Sequence, residues 1–109
     1  MDTTPATSQT PVSDGGLAAF EAEARRDGYD EVLVREWAAG QVVGTHSHPF
    51  ALRVKVVRGG LELTCRGAAR PFSAGDRFEL DHDEPHAEHY GPQGATFWVA
   101  RRHGTPSAG

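Results

Sequence analysis

The run Gly40 to Gly60, GQVVGTHSHPFALRVKVVRGG, decides how this chain is read. It is rich in strand-forming residues and carries His46 and His48 two positions apart. On a strand, residues i and i+2 point to one face, so the two imidazoles aim at the same point in space. That is half of a metal site. The other half has to arrive from a distant strand, and the dense candidate is Asp81 to Tyr90, DHDEPHAEHY, which holds His82, His86 and His89. Five of the six histidines lie in these two windows, so the rest of the sequence is read as the scaffold that brings them together.

Outside the windows, composition narrows the function classes. A chain of 109 residues has room for one domain with one modest core, and 38% hydrophobic content is enough to build it. A formal charge of -4 and the absence of a Lys/Arg run argue against nucleic acid or an anionic membrane as the partner. With Cys65 as the one cysteine, no internal disulfide can form, and no stretch is apolar for the length of a signal peptide or a membrane span. The expectation is a cytoplasmic protein.

Residues 1–16 lack large apolar groups and predict a disordered tail. Leu17 to Arg26, LAAFEAEARR, predicts a short helix with Asp14 as candidate N-cap, Gly28 as its stop, and Leu17 and Phe20 as the docking residues. From Asp30 the periodicity is that of strands: Val32 to Trp37, Gln41 to His48, Leu52 to Val57, Leu61 to Cys65, Arg77 to Leu80, Pro85 to Tyr90 and Ala95 to Arg102. Turns are expected at Gly59-Gly60, at 66–69 and at Ala74-Gly75-Asp76. Residues 17–103 therefore form the domain, and 104–109 a frayed tail. Seven or eight short strands without crossover helices predict an all-β sandwich or barrel.

The two histidine windows resemble the paired motifs of the cupin family. The first motif, G-x5-H-x-H-x(3,4)-E-x6-G, is met by Gly40, His46, His48 and Gly60; the second, G-x5-P-x-G-x2-H-x3-N, by Gly75 and His86. The resemblance covers roughly half of the chain and implies a single-domain cupin β-barrel (a double-stranded β-helix, or jelly roll) preceded by the short N-terminal helix. It also implies a homodimer and a metal inside the barrel. The sequence departs from the pattern in three places. Arg53 stands at the usual carboxylate ligand, with Leu52 at the shorter spacing; Asp81 and Asp83 replace the second motif's Pro and Gly; and Tyr90 replaces its Asn.

His46, His48 and His86 are accordingly the candidate metal ligands, a set suited to a divalent transition metal such as Zn, Fe, Ni, Mn or Cu, with an open position for water or substrate. Glu88 shares a strand face with His86 and is the candidate fourth ligand, or else pairs with Arg53 or faces solvent. Arg53 either points inward, where it would hold an anionic ligand beside the metal, or faces outward with Lys55 after a one-residue shift of register. Phe50 is a candidate for the pocket mouth, and the other aromatic residues read as core. His82 and His89 are placed at the surface or behind the site, and Cys65 as a small buried hydrophobe. Two functions remain open: a metal-dependent enzyme acting on a small molecule, and a non-catalytic module that binds or senses one. A purely structural dimer gives five clustered histidines no chemical purpose.

Overall fold

A computed structural model describes residues 16–104. Apart from Gly16 and Gly104, the two expected tails lie outside the described residues, as does Asp14. The cap position of the helix, α1 (Leu17–Arg26), is held by Gly16 without a side-chain hydrogen bond. Six strands follow: β1 (Glu31–Trp37), β2 (Val42–His46), β3 (Ala51–Cys65), β4 (Ala68–Ser73), β5 (Arg77–Leu80) and β6 (His86–Arg102). All pairings are antiparallel, in the order β1-β6-β3-β4, with β2 also on β6 and β5 also on β3.

The number of strands is smaller than the sequence pattern predicts, because β3 and β6 each run through glycines expected to break them. Gly59 and Gly60 lie within β3 and do not turn the chain back; Gly91 and Gly94 lie within β6. The two long strands bend together where Gly59 faces Ala95, with register shifts at Val56/Arg58 and Gly59/Leu61. Gly59 and Gly94 adopt φ of +71° and +69°, a region L side chains rarely enter. A Cβ on Gly59 would lie 2.0 Å from the Gly94 carbonyl oxygen, and one on Gly94 would lie 2.2 Å from that of Trp37. These positions require glycine on two counts, and they let one strand serve both halves of the sheet.

The shift has a consequence for which side chains meet. Leu52, Val54 and Val56 face the interior from β3 before the bend, and Leu61 and Leu63 after it, so the buried parity changes from even to odd. All five join Leu80, Tyr90, Phe97 and Val99 in the main core. A second, smaller core lies on the outer face, where Phe20 and Ala24 of α1 pack with Tyr29 and Ala100 and, at 6.0 Å between rings, Trp98. The helix thus docks through Phe20 and Ala24, while Leu17 stays 36% exposed. Asp27 and Gly28 close it, with Gly28 at φ +94° as the expected stop.

Arg53 belongs to this outer face. Its Nε donates to Glu79 at 2.9 Å and its Nη1 to Asp27 at 2.8 Å, and its guanidinium sits over the Tyr29 ring at 4.8 Å. The inward reading of Arg53 as a ligand-holding residue is corrected accordingly. Its neighbours Leu52 and Val54 take the interior, and strand alternation leaves Arg53 on the side that the helix covers. Arg53→Glu is expected to put a fourth carboxylate beside Glu23, Asp27 and Glu79 and to cost about 2 kcal/mol, between the values for exposed and buried pairs. Metal content should be unchanged. Urea unfolding and metal analysis of the same preparation check both, and an altered metal content would contradict this placement.

Candidate metal centre

Each histidine is positioned by a separate piece of local structure. His46 ends β2, pairs across to His86 at the start of β6, and its Nδ1 donates to the Gly44 carbonyl at 2.7 Å. The Nδ1 of His86 donates to the Glu84 carbonyl at 2.9 Å. A carbonyl only accepts, so in the neutral ring each Nδ1 carries the proton and each Nε2 keeps a free lone pair. His48 follows β2 in the connection to β3, and its carbonyl accepts the Asp83 N–H at 2.7 Å, tying the loop before β6 to the HxH segment. Asp83 stands where the cupin motif has glycine and takes φ +57°, a conformation that Asp enters more readily than most residues.

The three rings converge. Centroids are 4.3 Å apart for His46–His86, 4.8 Å for His46–His48 and 5.3 Å for His48–His86, and one nitrogen from each lies within 4.8 Å of the others. Nitrogens bound tetrahedrally to one ion at 2.0–2.1 Å lie about 3.4 Å apart, so small side-chain rotations bring these three to bonding distance. Burial, followed by the neighbouring His46 and His86, lowers the pKa of His48 and keeps its lone pair available. The donor set fits a transition ion: three imidazoles, two of them oriented through their second nitrogen, as metal-ligating histidines usually are.

Glu88 sits beside this group, one carboxylate oxygen 3.3 Å from His86 Nε2 and 3.6 Å from His46 Nε2. Burial alone would raise its pKa. With His86 protonated, its Nε2–H and the Tyr90 hydroxyl donate to Glu88, outweigh burial and hold its carboxyl below the ordinary carboxylate range; a bound ion would replace that Nε2 proton. Tyr90, 1% exposed and stacked on Trp37 at 4.9 Å, donates its hydroxyl to Glu88, and burial together with that bond pushes its own pKa well up. This orienting role of Tyr90 escaped the sequence reading, although its spacing of two from Glu88 was a signal that the two share a face.

Above the histidines opens a cavity of about 110 Å³. Phe50 stacks on His48 at 4.9 Å and 11° and lines it, together with Leu52, Val54, Phe97 and Val99. Two cations also line it, Arg35 and Arg101, neither singled out by sequence pattern. His89 is exposed, and His82 donates to or accepts from no residue of the cluster, meeting the Gly104 carbonyl instead. Cys65 is partly buried against Glu84, and burial followed by that carboxylate raises its thiol pKa, so it is a poor nucleophile.

The fold places the chain in a recognised class of protein. No protein-family model matches the sequence, and no curated protein matches it. Solved structures do. KdgF from a Halomonas species is similar with a TM-score of 0.58 and 23% identity, over 67% of this chain and 68% of that one. An RmlC-like cupin from Shewanella frigidimarina gives 0.56 and 21%, over 72% and 68%. The DMSP lyase DddQ from Ruegeria pomeroyi gives 0.60 and 24%, over 65% of this chain but only 36% of that one. The domain has the cupin fold, a double-stranded β-helix of antiparallel strands, with one short helix. Among the described residues no helix is long and apolar enough to cross a membrane.

Proposed function

We propose that this chain is a small metal-binding cupin in which His46, His48 and His86 hold a divalent transition ion, with Glu88 as a fourth ligand or a base beside it, and that the centre acts on a small molecule entering over Phe50. One observation carries this reading: backbone carbonyls hold Nδ1 of two of the three rings, which leaves each Nε2, beside Glu88, as the nitrogen that an ion would take in place of a proton. A bound ion would supply Lewis-acid polarisation of a substrate oxygen. The chain itself contributes the orientation of Glu88 through Tyr90 and apolar walls that limit water around the site. Similar folds include a chain named as a DMSP lyase and a cupin domain named without an activity, so a non-catalytic module that binds or senses a small molecule is the second reading. The homodimer implied by the cupin resemblance is part of the proposal; β1 lies at the sheet edge and Val34 on it is 44% exposed.

Metal analysis of tag-free protein tests the reading. Wild type should retain a stoichiometric transition ion, and a His46→Ala/His48→Ala variant of intact fold should retain none. Equally negligible metal in both would end it.

A further inference from the structure

The cavity beside the histidines carries a surplus of positive charge. Of the charged groups that line it among the described residues, Glu88 is the sole carboxylate, and it is engaged by Tyr90 and His86. Against it stand two guanidiniums. Arg35, half-buried over the Trp37 ring at 4.6 Å, has no ion-pair partner among the described residues. Arg101 lies over the Phe50 ring at 4.8 Å. Its one carboxylate, Glu31, is 3.6 Å from Nη1 and lies closer, at 2.7 Å, to His103. Its Nε is buried without a hydrogen-bond partner among the described residues. Leaving such a donor unpaired costs free energy that a bound acceptor would recover.

These features share one solution. A half-buried, under-paired guanidinium stacked on an aromatic ring is a ready site for a planar oxyanion, because its donors match the two oxygens of a carboxylate. From the cavity faces of β1 and β6, Arg35 and Arg101 project from strand positions about four residues apart, since Arg35 is paired with Phe97. That separation is roughly 13 Å between backbones, and both side chains line the cavity that His46, His48 and His86 also line. A neutral or cationic ligand would leave the charge surplus uncompensated; an anion removes it.

We infer that the cavity binds a small organic carboxylate, with Arg101 as the residue that grips it and Arg35 as a second cation that favours it, so that the molecule lies against Phe50 beside His46, His48 and His86. The inference rests on the cavity of the proposed function and names its substrate class. It stands without the ion, because the guanidiniums and the orphaned Nε belong to the chain alone. The size sets a bound: a cavity of about 110 Å³ is below the roughly 150 Å³ that accepts benzene, which favours carboxylates of a few carbons.

The test uses acetate, propionate and succinate with their uncharged amides, titrated into metal-free and metal-loaded full-length protein. Calorimetry gives affinity, and the Arg101 Nε–H signal in a ¹⁵N-correlated NMR spectrum gives the place of binding. At least one carboxylate should bind saturably, its amide at least tenfold more weakly, with the Nε–H signal shifting along the titration. Arg101→Gln should lose at least tenfold, Arg101→Lys should recover part of it, and Arg35→Gln should lose less. Amides binding as well as acids, or full affinity in both Arg101→Gln and Arg35→Gln, would overturn the inference. Carboxylate binding that persists in protein shown to hold no metal would support it even if the metal reading had failed. Metal retention without any carboxylate binding would overturn it and leave the metal reading intact.

Discussion

His86→Ala is expected to abolish stoichiometric retention of a transition ion, lowering affinity by more than the roughly 10–100-fold that loss of an outer hydrogen-bond partner costs at such sites. His86 is the most enclosed of the three ligands, 3% exposed, and it meets both of the others: His46 across the β2–β6 pairing and His48 through the contact of their rings. It is also the ring whose two nitrogens are both used, one on the Glu84 carbonyl and one toward Glu88. Its loss removes a donor and frees the neighbouring carboxylate. Competition with a chromogenic chelator measures the effect, with circular dichroism confirming the fold. The more exposed His46→Ala serves as a second variant should His86→Ala unfold. If both variants compete as wild type does, the three imidazoles do not form the centre.

Gly94→Ala, like Gly59→Ala, should be among the most damaging small substitutions in the strands. At Gly94 the added Cβ meets the Trp37 carbonyl oxygen at 2.2 Å and Ala38 and Ala39 backbone atoms at 3.2 Å, and φ is +69°. Backbone, not a flexible side-chain tip, would have to give way. The combined strain is expected to cost about 3 kcal/mol or more, which for a domain of this size lowers Tm by more than about 10 °C. Gly75→Ala provides the comparison, since its φ is +98° but nothing lies within 4 Å of a Cβ there. Thermal unfolding of the two variants separates close approach from conformational preference alone. Equal losses would mean that the approach of β6 to Trp37 and Ala38-Ala39 relaxes easily and that this packing is not what demands glycine at position 94.

The two glycine sites also explain where sequence reading ran short. Gly59-Gly60 and Gly91 to Gly94 carry turn-forming composition, yet β3 and β6 pair on both sides of the bend, at Gly59–Ala95 and Leu61–Tyr90, so neither run turns the chain back. Each bend inserts a shift, so His86, Glu88 and Tyr90 face inward from even positions of β6, and Phe97, Val99 and Arg101 from odd ones. Parity counted from His86 would have turned Arg101 outward. Arg53 went undecided for a related reason: Pro49 and the bend at 49–50 separate it from the HxH pair, and a non-strand interval erases the alternation that links them.

What the sequence determined by itself is therefore local and periodic. The HxH spacing, the spacing of Gly75 to His86, the position of Glu88 relative to His86, the short helix and the all-β character all follow from residues within reach of one another along the chain. Tertiary structure alone decided the rest: that Arg53 pairs beneath the helix with Asp27 and Glu79, that Tyr90 holds Glu88, and that Arg35 and Arg101 face the histidines. The physical reason is that a strand has two faces, and only its long-range partners, through register and bulges, determine which of them is buried.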